Sequence, residues 1–258
     1  MADDMDLPEE VALLWGLREA PRKGPKPTLT AADITRAAVA VADAEGLAAV
    51  SMSRVAAELG NSTMALYRHV RSKDELLVLM ADVALGDPPD LPAGGDWRSG
   101  LTLWSHSIVA VAKRHPWFAR LPITGPPVGP KNLAWFESAL AALSGTSIDE
   151  GEKVGIVMSL LTYVHGQIRL GSELAAGYAE NPDAFSRQYA AVLARVVDPR
   201  RMPALSRVVA AGVFDIDSLL DDQDVDAEFD FGLVLFLDGV AGYLAAHDPS
   251  STVSAPTP

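Results

Sequence analysis

VSMSRVAAELGNSTMALYRHVRSKDEL, Val50–Leu76, holds two short helical patterns that meet at a glycine. In its first half Met52, Val55, Ala56 and Leu59 recur at helical spacing, and Ser51 stands where a hydroxyl caps the first amides. Gly60 can take the positive φ of a helix C-terminus, and Ser62 caps a second helix, Thr63–His69. Helix, short turn, helix is the geometry that lays a second helix in the major groove of DNA. Ser72-Lys73-Asp74-Glu75 then predicts a capping box opening a further helix with Leu76, Leu77, Met80 and Val83. On and around the second helix stand Thr63, Tyr67, Arg68, His69, Arg71 and Lys73. Hydroxyls, an aromatic ring and cations in that mixture suit phosphate clamping with limited base contact. The same spacing is also met in an ordinary surface hairpin with solvated charges.

The remainder of the chain predicts helices throughout and no strands. Nearly half of its 258 residues are hydrophobic, and nowhere do β-branched residues alternate as a sheet requires. Cysteine is absent, which excludes disulfides, thiolate zinc sites and cysteine nucleophiles. The acidic start MADDMDLPEE is not a secretory signal. The longest uncharged apolar stretch, Val154–Ile168, contains His165 and Gln167 and falls short of a membrane span, so a cytoplasmic protein without a membrane partner is expected. The five histidines show no metal-ligand spacing, and neither a phosphate loop nor a nucleophile elbow is present. No enzymatic activity, metal or cofactor is expected.

A formal net charge of −13 argues against nucleic acid until its distribution is considered. Between Arg18 and Lys73 nine Lys/Arg face five Asp/Glu, a local balance of +4, whereas Asp215–Asp230 holds eight acidic residues and no basic one. The field near the contact surface governs DNA binding, so a basic end joined to an acidic remainder is compatible with it.

The segment Leu29–Leu79 resembles the N-terminal domain of the tetracycline-repressor (TetR) family of bacterial transcription regulators. The resemblance is carried by Leu29-Thr30, Ile34, Ala37-Ala38, Ala42–Leu47, Ser51-Met52, VAAELG at Val55–Gly60, STMALYRHV at Ser62–Val70 and Lys73–Leu77. It implies an all-α homodimer in which Thr63, Met64, Ala65 and Tyr67 face the groove. Ser53 approaches from the preceding helix, and Tyr67, His69 and Lys73 hold phosphates. The partner is then a double-stranded, roughly palindromic operator, and the output a repressor released by a hydrophobic small-molecule effector. Asn61 and Ser53 depart from the valine and arginine common at these places in the family. The alternative is a helical small-molecule scavenger without significant DNA binding.

Outward from this segment four regions are expected. Residues 1–28 form a flexible extension whose Pro21–Pro27 run carries Arg22, Lys23 and Lys26 beside the DNA-binding helices, as a minor-groove arm or as an idle tail. Residues 29–75 form the helix-turn-helix domain, opening with a helix over 31–45 capped by Thr30. Residues 76–248 form a ligand-binding and dimerisation domain, and 249–258 a disordered tail. Within the third region, Trp97, Leu101, Trp104, Ile108, Val111 and His115 form an apolar stripe that stops before Pro116. Further helices are expected at Lys131–Leu143, Asp149–Ala176, from Asn181-Pro182, at Pro203–Gly212, Ile216–Leu220 and Ala227–Ala246. Taken singly, Trp104, Trp117, Phe118, Trp135, Phe136 and Tyr163 are core aromatics. As a group, with His165, Gln167 and Arg169, they outline an apolar pocket with a few orienting polar groups. RHPWFA, Arg114–Ala119, resembles a stretch of TetR-like C-terminal domains. Tetracycline repressors hold magnesium–drug partly through a carboxylate one turn after a helix glycine. With Gly166 in that place, Leu170 replaces the carboxylate, and no such complex is expected. The final helix is apolar on more than one face, which together with the resemblance points to pairing of the last two long helices between subunits.

Overall fold

The computed structural model describes residues 9–17, 29–91, 96–122, 128–181, 187–214 and 222–248. Among these, regular structure is entirely helical: α1 (Glu9–Leu14), α2 (Ala31–Glu45), α3 (Met52–Glu58), α4 (Thr63–Tyr67), α5 (Lys73–Leu85), α6 (Trp97–Arg114), α7 (Pro130–Ala142), α8 (Glu150–Glu180), α9 (Arg187–Val196), α10 (Pro203–Ala210) and α11 (Asp222–Ala246). Arg22, Lys23 and Lys26, the helix start expected at Pro182, the Ile216–Leu220 segment and the C-terminal tail lie outside the described residues. The chain divides into two compact units, Met1–Met158 and Ser159–Pro258.

The first unit is built on caps that the sequence announces. Thr30 and Asp33 close a reciprocal capping box on α2. Ser51 accepts from the Arg54 amide, Ser62 from that of Ala65 and Ser72 from that of Glu75. The box expected on α5 is displaced: the Glu75 carboxylate accepts from the Arg71 amide, one residue before the cap. Apolar side chains of α2, α3, α4 and α5 meet in one core, centred on the fully buried Ile34, Val55, Leu66, Leu76 and Met80. Residues 76–84 therefore share the core of the helix-turn-helix segment.

Two sequences expected elsewhere also join that core. Part of the N-terminal extension is helical: α1 lays Leu13 and Leu14 against it, and the Trp15 indole donates to the Val128 carbonyl at 2.8 Å. An apolar VALLW run finds a hydrophobic face within reach, so it folds onto it instead of staying extended. Trp117, from the 3₁₀ turn Pro116–Arg120 that follows α6, is buried in the same core, with Phe118 and Leu121 beside it.

α5 is buried on most of its circumference, and one of its buried residues is an aspartate. Asp82 Oδ1 accepts from the amides of Lys131 and Asn132 and from the Asn132 side chain, each at 3.1 Å. This caps α7 from a neighbouring helix and satisfies the buried carboxylate at the same time. Gly129 makes the approach possible, because a Cβ there would collide with Asp82. The Trp135 indole adds a bond to the Gly86 carbonyl at 3.0 Å, and Trp104 donates to the Trp135 carbonyl at 2.9 Å.

In the second unit α11 turns Phe229, Leu233, Leu237 and Val240 inward, at steps of four and three. Tyr163 of α8 stacks on Phe229 and donates to its carbonyl at 2.6 Å. Gly232 leaves room for that ring, since a Cβ there would meet the phenol. Ala227–Ala246 is long and apolar enough to cross a membrane by length and composition alone. It carries Glu228, Asp230 and Asp238, and only a minority of its residues, the stripe of Phe229, Leu233, Leu237 and Val240, is buried.

Asp82→Ala is expected to destabilise the fold by about 2–3 kcal/mol, since it strips a cap and leaves α7 donors without an acceptor. Thermal unfolding of the full chain checks this, and Gly129→Ala should act in the same direction.

Candidate nucleic-acid interface

Gly60, at φ +63°, ends α3 and lets the chain turn within three residues into α4. Leu66 and Val70 anchor α4 from below with no exposure. With that side fixed, the other side must face outward. Met64 is 72 % exposed and Tyr67 45 %, and neither is covered by another described element. Thr63, Ala65 and His69 are half-buried, while Arg68, Arg71 and Lys73 are exposed. Ser53 is exposed on α3, with its hydroxyl 3.1 Å from that of Ser51. Of the residues read from the sequence as groove-facing, Ser53, Met64 and Tyr67 are exposed, whereas Thr63 and Ala65 are half-buried and Ala65 packs against the core.

The basic residues of this region are not equivalent. Arg54 bonds to Glu45 through Nε at 3.0 Å and a terminal nitrogen at 2.5 Å, and to Glu58 at 2.9 Å. These bonds hold its pKa above the ordinary arginine value, with the Glu45 contact the larger cause, and lower that of Glu45 in return. Arg54 thereby ties the end of α2 to α3 and is neutralised in place. Arg36 is likewise paired, with Asp33. Among the described residues Arg68 and Lys73 have no carboxylate partner, so positive charge is available beside α4 and at the start of α5. Charge counting along the sequence overlooked this distinction, although the Arg54–Glu58 spacing of four on α3 signals part of it.

The aromatic residues expected to form a pocket are spread over separate environments. Trp104 and Trp135 sit edge to face at 6.1 Å, buried, with both indole N–H groups bonded to carbonyls. Trp117 and Phe118 belong to the core under α2 rather than to that pair. Phe136 is half-buried on α7. In the second unit, burial raises the pKa of Tyr163. Burial lowers the pKa of His165, favouring the neutral ring. Sequence reasoning passed over the other face of α6, where Arg98, Ser99, Thr102, Leu103 and His106 line an open depression of about 470 Å³. The signal was present in the four-residue steps Arg98–Thr102–His106 and Ser99–Leu103, a mixed polar and apolar stripe opposite the buried one.

Lys73→Ala should flatten the salt dependence of binding to duplex DNA by about one unit of log–log slope. Arg54→Ala, which removes an already paired cation, should leave the slope nearly unchanged. Fluorescence anisotropy on one duplex between low and moderate salt separates the two.

Comparison with known proteins agrees with this geometry. Residues 34–80 match the model for bacterial regulatory proteins of the tetR family, and residues 88–244 match that for the tetracyclin repressor-like C-terminal domain. The chain is 36 % identical over 241 residues to the HTH-type transcriptional repressor DrrR1 of Streptomyces coeruleorubidus, covering 91 % of this chain and 86 % of that one. It is 25 % identical over 263 residues to the HTH-type transcriptional repressor Rv1353c of Mycobacterium tuberculosis, covering 94 % and 95 %. Among solved structures, ActR of Streptomyces coelicolor bound to (S)-DNPA superposes with a TM-score of 0.69 at 26 % identity, over 84 % of this chain and all of that one. The same protein in complex with actinorhodin gives 0.69 at 25 %, over 85 % and 98 %. With both of its halves matched and a helix-turn-helix surface exposed as DNA docking requires, the chain belongs to the TetR family of bacterial transcriptional regulators and is a DNA-binding regulator.

Proposed function

We propose that the chain is a homodimeric repressor that leaves its operator when a hydrophobic, ring-containing small molecule binds its larger domain. The observation that carries the DNA half is the surface of α4: Met64 and Tyr67 stand exposed on a helix whose opposite side is fixed by Leu66 and Val70. An apolar side chain left in water on a short, rigidly seated helix fits a groove, where thymine methyls offer apolar contact. Thr63, Met64, Ala65 and Tyr67 face the groove with Ser53 approaching from α3, and Tyr67, His69 and Lys73 hold phosphates. Arg22, Lys23 and Lys26 supply an arm to the adjacent minor groove. A regulator of this kind works in the cytoplasm, where the chromosome is.

Dimerisation is supported by α11. Its inward stripe accounts for Phe229, Leu233, Leu237 and Val240, yet Phe231, Val234 and Leu235 are 67 %, 48 % and 57 % exposed on another side. Gly151, Gly155 and Ser159 offer an exposed stripe of small residues on α8. Exposed apolar surface of this extent marks an association face, and a two-fold dimer presents two reading helices to successive major grooves about 34 Å apart.

For the effector, the ActR complexes support a small-molecule ligand in the larger domain. We place it against the Arg98–His106 face of α6, where Leu103 offers an apolar contact and Arg98, Ser99, Thr102 and His106 offer polar ones.

Phe231→Glu should give a monomer at micromolar concentration by analytical ultracentrifugation and lose operator binding in gel shift, with helix content retained. Tyr67→Ala should abolish specific binding while leaving the dimer intact. With actinorhodin as probe ligand, Leu103→Trp should suppress the thermal shift that wild type shows while the operator gel shift is retained. Survival of the response in that variant would move the ligand off α6.

A further inference from the structure

Asp43 lies on the last turn of α2, remote from α4, and has no part in the docking surface described above. Its Oδ1 receives two donors from the segment after α6: the Trp117 indole N–H at 2.6 Å and His115 Nδ1 at 2.7 Å. An ionised carboxylate only accepts, so His115 carries its proton on Nδ1. The local sequence produces this arrangement. Pro116 cannot continue α6, His115 ends it with φ −125° and ψ 77°, and the 3₁₀ turn carries Trp117 back over α2. The Trp117 ring is 4 % exposed within the core of the DNA-binding helices and lies 5.6 Å from the His115 ring.

The DNA-binding helices are therefore attached to the helices that follow at two separated places. One is the end of α5, through Asp82 and the Gly86 carbonyl. The other is the end of α2, through Asp43. A body held at one place can pivot about it in any direction; held at two, it keeps only rotation about the line that joins them. In a dimer this orientation determines whether both reading helices fall into successive grooves together.

We propose that Asp43 is a positioning residue that sets the half-site spacing the regulator accepts, by fixing its DNA-binding helices to the His115–Trp117 turn. The proposal rests on the dimeric docking advanced above. It requires no contact between Asp43 and DNA: removing the carboxylate frees the head to rotate, and rotation lets the protein follow half-sites that are misplaced.

The test begins with an operator selected by the full-length wild type from a random duplex pool. Derivatives carry one base pair inserted or deleted at the dyad, each a displacement of about 3.4 Å with a matching rotation. Wild type should lose about tenfold or more in affinity on either derivative. Asp43→Ala and Trp117→Phe should discriminate several-fold less between spacings, with the salt slope unchanged. Asp43→Asn, which retains an acceptor for the indole, should fall between. A lower melting temperature with wild-type spacing discrimination in all three variants would reduce Asp43 to a structural hydrogen bond and overturn the proposal. A wild type indifferent to spacing, or one that enriches no sequence, would instead overturn the dimeric docking and the proposal with it.

Discussion

Because α5 is enclosed on nearly every side, its one buried charge needs partners. Leu76, Leu77, Leu79, Met80, Ala84 and Leu85 are covered, and among them Asp82 would be a heavy liability without donors. The first turn of α7 supplies three, and Gly129 removes the one obstruction. Much of the first unit follows from that contact. At its N-terminal end α5 closes the core under the reading helix; at its C-terminal end it caps the helix that carries Trp135. One rigid element thus belongs to both halves of a regulator, and a displacement of α7 is felt in α5 without passing through flexible chain.

The indole groups show how burial and hydrogen bonding divide the work. Four tryptophans send their N–H groups to defined acceptors: Trp15 to Val128, Trp104 to Trp135, Trp135 to Gly86, and Trp117 to Asp43. Trp104, Trp117 and Trp135 each bring a large apolar ring into a packed region with one directional bond that selects its orientation, whereas Trp15 makes its bond at the surface. Three of these bonds end on backbone carbonyls and act within the scaffold. The fourth ends on a charged side chain of the DNA-binding helices, which makes it both stronger and easier to remove by substitution.

Coupling between ligand and DNA requires the ligand to prefer one of two arrangements of the molecule. The first unit contains two hydrogen-bonded attachments between its DNA-binding helices and later segments, at Asp82 and at Asp43. Both are carboxylates on helices of the DNA-binding segment, and both are met by donors from segments flanking α6 and α7. The face of α6 proposed for the effector, Arg98–His106, precedes both segments in the chain, and α6 ends directly at His115, a donor to Asp43.

The sequence by itself determined the all-helical class, the boundaries of α2 to within its cap, the turn at Gly60 and the serine caps, because these depend on residues a few positions apart. The outward set on α4 came from the family resemblance; the structure exposes Met64 and Tyr67 of it and half-buries Thr63 and Ala65. Tertiary structure alone decided the partners of side chains separated by tens of residues. Trp117 reads as a pocket aromatic until its ring is found under α2 with Asp43. Arg54 counts toward the positive balance of its region until Glu45 is found against it. The VALLW run reads as a tail until a core is within reach of it. Periodicity reports that a side chain is apolar or charged and on which face of its own helix it stands. Which of several apolar cores it enters, or which charge neutralises it, depends on distances that exist only after the chain has closed on itself.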